Sequence, residues 1–275
     1  MPSRRAPTGR LVVCPTPIGN LEDVTLRVLD VLARADVVAC EDTRHTRKLL
    51  DRHGIRAELT SFHEHNERSR TPELVRRIGD GALVALVSDA GTPLISDPGF
   101  ELVRRCREQG VAVEVLPGAS AAVTALVASG LPAERWCFAG FLPRTRGERL
   151  ELLGGTTVTL VAYESPRRLP GTLRELAEVD PERPVAVARE LTKVHEEVRS
   201  GTARDLAEHF AAEPPRGEVV LVCGAAAAGA PDRSRALAAV ADLVQAGARP
   251  RAAAGAVARL TGVPANELYR ALTDG

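Results

Sequence analysis

Apolar and polar positions along this chain switch between a period of two and a period near 3.6, and the switches mark its elements. Residues 10–14 form a short apolar run, RLVVC, closed by Pro15-Thr16-Pro17, which predicts a buried strand followed by a loop. Asp23 stands where it can cap a helix in which Leu26, Leu29 and Leu32 recur every three residues. Residues 36–40 predict a second strand, 43–52 a helix ended by Gly54, and 59–62 a third strand. Thr71-Pro72 opens another helix, with proline at its tolerated first position. Residues 82–87 are entirely apolar, so this fourth strand is expected to be covered on both faces. Asp97 is then placed as an N-cap, Pro98 as the first helical residue and Gly110 as the stop. Up to about residue 118 strands and helices alternate. That order predicts an open, mostly parallel α/β sheet whose ligand site lies beyond the carboxyl ends of its strands.

The second half is patterned differently. Residues 157–162, 185–188 and 219–222 predict buried strands, and 197–200 a more polar, edge-like one. Helices between them start near Pro166 and Thr202, and hairpin-like spacing from Arg189 to Gly201 predicts a mixed sheet. Residues 225–232 have linker composition. Three short helices follow at 234–245, 251–260 and 265–272, the last two punctuated by Gly262 and Pro264 in the manner of a helix-turn-helix. The expected organisation is a disordered tail over 1–9, α/β domains over 10–118 and 119–226, and a helical extension over 233–275.

Composition narrows the chemistry. With 44% hydrophobic but only 3% aromatic residues, the core must be built from Val, Leu and Ala. The 36 basic residues are balanced by 36 acidic ones, which excludes a strongly basic nucleic-acid-binding chain and leaves only local arginine patches for phosphate. Only Lys48 and Lys193 are lysines. The five cysteines are widely spaced with no CxxC pair, so buried free thiols are expected rather than disulfides or zinc ligands. Without a signal peptide or a membrane-length apolar run, the chain reads as cytoplasmic, with no membrane partner.

The most informative stretch is SDAGTPLISDPG over 88–99, directly after the fourth strand. Glycines 91 and 99 let the backbone approach a ligand closely. A second tight turn, LPGAS over 116–120, leads into a helix of small residues from Ala121, and PTPIGN over 15–20 follows the first strand. Three loops from strand ends of one sheet could converge. None matches GxGxxG or GxxxxGK[ST], so a dinucleotide or nucleoside triphosphate is not the expected ligand.

TPIGNLEDVTLR, EDTRHTRKLL, HEHN, ALVSDAGTPLISDPG, PGASA, ASGLP, GFLP, YESPRR and RELTKVHEE follow one another in order. Together they resemble the bacterial 16S rRNA cytidine 2′-O-methyltransferases, a ribosomal branch of the tetrapyrrole methylase superfamily. The resemblance spans residues 10–224, and the terminal helices look like that branch's added helical domain. It implies a two-domain tetrapyrrole-methylase-like fold, an open N-terminal sheet and a mixed C-terminal one, that holds S-adenosylmethionine between the domains, usually as a homodimer. It also implies methyl transfer to the ribose 2′-hydroxyl of a decoding-centre cytidine, position 1402 of 16S rRNA, on the 30S subunit. Carried over residue by residue, the cofactor contacts fall on Ile18, Asp89, Thr92, Ser120, Ala121 and Tyr163. Where vitamin-pathway members carry Gly-Asp-Pro, this chain has Ser88-Asp89-Ala90, as the ribosomal branch does.

A ribose hydroxyl is a poor nucleophile and needs an acceptor for its proton. Glu164, Glu190 and Lys193 are the expected acceptor side of the cleft. Glu41-Asp42 either caps the next helix or takes part in chemistry. His63 and His65 share a strand face as metal ligands would, but with no third ligand apparent they read as solvated or RNA-facing instead. RNA contacts are expected from Arg44, Arg47 and Lys48 on one helix, from Arg144, Arg146 and Arg149, and from Arg167-Arg168, unless these are solvated charged faces. Arg249, Arg251, Arg259 and Arg270 suit the terminal helices to RNA docking, or to packing and dimerisation. Two alternatives share parts of this pattern. A tetrapyrrole C-methyltransferase would share the cofactor loops, and a nucleic-acid-binding regulator with a degenerate methylase body would share the helical end.

Overall fold

Short runs of Val, Leu and Ala assemble the first sheet, because each can bury both of its faces only between helices. The computed structural model describes residues 9–226 and 233–273. The expected tail, apart from residue 9, and residues 227–232 of the expected linker lie outside them. Strands β1 (Arg10–Val13), β2 (Val37–Cys40), β3 (Leu59–Ser61), β4 (Leu83–Leu86) and β5 (Ala112–Val115) form a wholly parallel sheet in the order β3-β2-β4-β1-β5. Alternate residues feed two apolar layers. Val12, Val38 and Ala85 pack with Val28, Leu32 and Leu50 of α1 (Leu26–Arg34) and α2 (Thr43–Arg52). Leu11, Ala39 and Leu86 pack with Leu74, Ile78 and Leu102 of α3 (Glu67–Gly79) and α4 (Phe100–Glu108) on the other face.

Three helix starts differ from expectation. Asn20 caps a short 3₁₀ turn at Leu21–Asp23, and Thr25 rather than Asp23 caps α1 by accepting from the Val28 N–H at 3.2 Å. Leu26 is consequently 84% exposed, and the buried stripe is Val28, Val31 and Leu32. Helix α3 begins before Pro72, which sits inside it. Asn66 organises that early start, its Oδ1 accepting from the His63 N–H and its Nδ2 donating to the Ser61 carbonyl. Asp97 does not cap α4. Glu67 does so from α3, its Oε1 accepting from the N–H groups of Gly99 at 3.0 Å and Glu101 at 2.9 Å.

The second sheet contains β6 (Trp136–Phe141), β7 (Thr159–Glu164), β8 (Pro184–Arg189), β9 (Glu197–Thr202) and β10 (Val219–Cys223), ordered β6-β7-β10-β8-β9. Only β6 and β7 run parallel. One face packs Val161, Ala186 and Val220 against Ala122, Ala125 and Leu126 of α5 (Ala121–Ser129). The other is covered by α6 (Arg146–Gly155), α7 (Leu169–Val179) and α8 (Ala203–Ala212). The pattern did not reveal β5, β6 or α6. Strand β5 is a half-exposed edge, and β6 is broken by an irregularity between Phe138 and Phe141, where Gly140 has φ +65°.

All five cysteines are free, and four are buried; burial, with Glu114 adding to it, pushes the Cys14 thiol up to about 12. Residues 233–273 belong to a separate compact unit. Its helices α9 (Arg233–Gln245), α10 (Pro250–Thr261) and α11 (Ala265–Thr273) pack on Ala236, Val240, Val257, Val263 and Leu268, and Gly262, at φ +76°, closes α10. Among the described residues no helix is long and apolar enough to cross a membrane.

Candidate active site

Strands β4, β1 and β5 are neighbours, so the loops that leave their carboxyl ends start side by side. They are also tied together. Thr16 and Gly91 exchange backbone hydrogen bonds at 2.8 and 3.0 Å, and the Thr16 hydroxyl donates to the Ser88 carbonyl. The Thr92 hydroxyl reaches the Ala119 carbonyl at 3.1 Å, joining the second loop to the third. Gly91 has φ +80°, a conformation costly for any residue with a Cβ. Gly118 meets Pro15 so closely that a Cβ there would lie 2.6 Å from the proline ring.

These loops form one wall of a cleft of about 330 Å³, and the second sheet forms the other. Ile18, Asp89, Thr92, Ser120 and Ala121 line the first side, while Tyr163, Ala188, Leu191 and Val220 line the second. Ser120 caps α5, so the amino end of that helix opens at the cleft. Tyr163 is held edge-on by Phe138 and Phe141. All six expected cofactor residues therefore border one cavity. Its size lies within the range of small-molecule sites. An apolar and aromatic wall opposite hydroxyls and carboxylates is chemically suited to an adenosine carrying a cationic sulfonium.

One corner of the cleft is acidic. Asp89 accepts from the Asp42 N–H through Oδ1 at 3.0 Å, which seats the start of α2 against the loop after β4. Burial, then the Asp89 charge, raises the Glu41 carboxyl above its ordinary range, with His63 opposing. Asp97 is pushed up to about 6, by burial first, then by Glu41 and more weakly by Asp89, against a hydrogen bond from Ser88. Asp42 caps α2 and is ion-paired with Arg44, whose hydrogen bonds hold its carboxyl far below the usual range. The His63 ring meets the Asn66 amide, and among the described residues no group of three or more His, Cys, Asp or Glu side chains could hold a metal ion.

The three residues expected to accept the proton are engaged elsewhere. Glu164 borders the cleft but is 3% exposed. Its carboxylate accepts from the Ser165 N–H, the Thr172 hydroxyl and the Arg168 guanidinium, so its lone pairs are occupied. Glu190 Oε1 accepts from the Glu218 N–H and from Lys193 Nζ, both at 2.9 Å, and these bonds hold its carboxyl below the usual range. Burial disfavours the Lys193 charge, but its hydrogen bonds to Glu218 and Glu190 outweigh that and hold the ammonium above the ordinary lysine value. A Cβ on Gly217 would come within 2.1 Å of Glu190 Oε1, so the bare backbone there admits this cluster at the cleft wall.

The arginine clusters divide. Arg44, Arg47, Lys48, Arg144, Arg146 and Arg167 are exposed, although Arg44 pairs with Asp42 and Arg146 with Glu178. Arg149 is buried against expectation. Its guanidinium bridges Glu175 and the carbonyls of Pro143 and Arg144, and cannot reach a phosphate. Arg168 is likewise occupied by Glu164 and the carbonyls of Leu142 and Pro143. Its position just before α4 makes Asp97 look like a helix cap from local sequence, but it lines the cleft, because the cap comes from the distant Glu67.

A profile of the tetrapyrrole (corrin/porphyrin) methylases matches residues 10–207. The chain is 48% identical to ribosomal RNA small subunit methyltransferase I of Mesorhizobium japonicum, over 96% of this chain and 91% of the relative. It is 43% identical to the protein of the same name from Escherichia coli O157:H7, over 95% and 94%. Among solved structures it resembles uroporphyrin-III C-methyltransferase of Thermus thermophilus, with a TM-score of 0.56 and 28% identity over 78% of this chain and 94% of that one. Cobalt precorrin-4 methyltransferase shares the fold at 17% identity, with a TM-score of 0.59 over 82% and 98%.

Proposed function

Since the chain belongs to the tetrapyrrole methylase family, and within it to the group of ribosomal RNA small subunit methyltransferases I, we propose that it methylates 16S rRNA with S-adenosylmethionine. The acceptor in this reading is the ribose 2′-hydroxyl of the decoding-centre cytidine, reached on the 30S subunit by a cytoplasmic homodimer. The observation that carries the reading is the cleft in which the loops after β4, β1 and β5 meet the Tyr163 wall. Identities of 43–48% to the ribosomal enzymes, against 17–28% to the tetrapyrrole enzymes named above, support RNA over a tetrapyrrole as acceptor.

S-adenosylmethionine supplies an activated methyl carbon when bound. The chain's part is to orient the partners and exclude water. Orientation alone is worth on the order of 7–11 kcal/mol in well-aligned systems. Ile18, Ala121 and Tyr163 offer apolar surface to an adenosine, and Asp89, Thr92 and Ser120 offer polar groups beside it. Glu164 positions the Ser165 turn, and the Glu190–Lys193–Glu218 cluster positions the opposite rim. Exposed Arg47 and Lys48 lie on α2, whose start is seated against Asp89, Arg144 follows the cleft residue Phe141, and Arg167 follows Pro166. Phosphates of an RNA entering the cleft would meet these side chains first.

The test supplies methyl-labelled S-adenosylmethionine with 30S subunits, with naked 16S rRNA and with uroporphyrinogen III, and maps any labelled nucleotide. Label on a cytidine ribose from 30S subunits is the expected result. Label on the tetrapyrrole, or on no acceptor, would overturn it.

A further inference from the structure

We propose that Asp97 is the general base of this site, its carboxylate taking the proton from the hydroxyl that becomes methylated. This rests on the methyltransferase reading above and adds the group that this reading lacks. Local sequence suits Asp97 to cap α4, since Ser96-Asp97-Pro98-Gly99 leads directly into the helix. The fold assigns that task to Glu67, which takes both the Gly99 and Glu101 N–H groups from 32 and 34 residues away. Asp97 is thereby released to line the cleft beside Asp89, Ser96 and Tyr163. The loop that holds it there is strained, with Leu94 at φ +72° and Ser96 at φ +68°, neither of them glycine. Such strain collects where a side chain must be aimed at a ligand.

The other carboxylates of the cleft are committed. Glu164 is saturated by Ser165, Thr172 and Arg168, Glu218 is paired with Lys193, and Asp89 holds the start of α2. The groups that face Asp97 are Glu41 after β2, Asp89 and the Ser88 hydroxyl after β4, and the Tyr163 phenol on β7, whose own proton is held more tightly by burial and then by the Asp97 charge. These surroundings raise the Asp97 carboxyl to about 6. It is then ionised near neutrality yet basic enough to hold a proton, the compromise that favours a general base.

In the step, the O–H bond breaks and its proton passes to an Asp97 carboxylate oxygen. The freed electron pair forms the O–CH₃ bond, while the C–S bond of a sulfonium methyl donor breaks and leaves its pair on sulfur. Asp97 afterwards returns the proton to water.

Asp97→Asn keeps the size and removes the base. Three measurements on the full chain distinguish the roles: turnover on 30S subunits, calorimetric binding of S-adenosylmethionine, and melting temperature against pH. Turnover should fall about 10²–10⁴-fold with donor affinity unchanged. The wild-type carboxyl has a raised pKa in the folded state, so it costs stability as pH climbs from about 4 to about 6 and remains costly above. Asn escapes that loss. The variant should therefore melt with the wild type below about pH 4 and above it at higher pH. Glu41→Gln removes a like charge and should move the acid limb of the wild-type kcat/KM profile to lower pH. Near-normal turnover of Asp97→Asn, a melting temperature lowered at every pH, or an unmoved acid limb in Glu41→Gln would each overturn the assignment. If the wild type neither binds the donor nor labels RNA, the methyltransferase reading fails instead.

Discussion

Residue type alone misleads at Arg149 and holds at Gly91. Arg149 belongs by sequence to an exposed basic cluster with Arg144 and Arg146, yet its side chain is 8% exposed and paired with Glu175. Arg149→Ala should destabilise the protein by roughly 3–5 kcal/mol, because it leaves a half-buried carboxylate and two carbonyls without their partner. Urea denaturation checks the loss, and the salt dependence of RNA binding by the folded variant should be unchanged. Gly91 was legible as a position of close approach, and the fold adds the reason. An Ala there would meet Ile18 at 3.4 Å, an ordinary contact, so the penalty comes from φ +80° rather than from a clash. Gly91→Ala should cost about 1–2 kcal/mol and weaken S-adenosylmethionine binding, as thermal melts with and without the donor would reveal.

Elements were readable where burial and local capping agree. Helix α2 starts at its Asp42 cap and ends before Gly54 because all its signals lie within its own sequence. Strands β1, β2 and β4 were readable from unbroken apolar runs. The start of α4 was not legible because its cap is a residue of α3, a contact no local window contains. Glu67→Ala should cost roughly 1–2 kcal/mol through the lost cap and the lost charge at the helix amino end. It should also loosen residues 88–99, seen as faster hydrogen exchange there and weaker donor binding. Equal protection of that loop in variant and wild type would show that the cap does not hold it. Leu26, 84% exposed, records the opposite error: a three-residue repeat was legible, but a shifted stripe faces the sheet.

At the scale of the molecule, zero net charge leaves the proposed RNA binding to local patches. Affinity for RNA should fall log-linearly with salt. Replacing exposed Arg47, Lys48, Arg144 or Arg167 by Ala should each lower that slope by about 0.7–1, whereas Arg168→Ala should not, since its guanidinium already serves Glu164. Filter binding across a salt series reads both, and a slope unaffected by all four substitutions would remove these patches from the interface.

The sequence by itself determined the alternation of strands and helices, the loops rich in Gly and Pro, and the family, because apolar period, turn chemistry and ordered motifs are properties of neighbouring residues. It could place Ile18, Asp89, Thr92, Ser120, Ala121 and Tyr163 on loops and strand ends but not around one cavity. Strand order decided that, by setting β1 between β4 and β5 and laying the second sheet opposite. Tertiary structure also decided which charged groups are available. A carboxylate or guanidinium is spent or free according to partners tens of residues away, as Glu67 releases Asp97 and Glu175 captures Arg149. Such pairings depend on distances that exist only once the chain has folded.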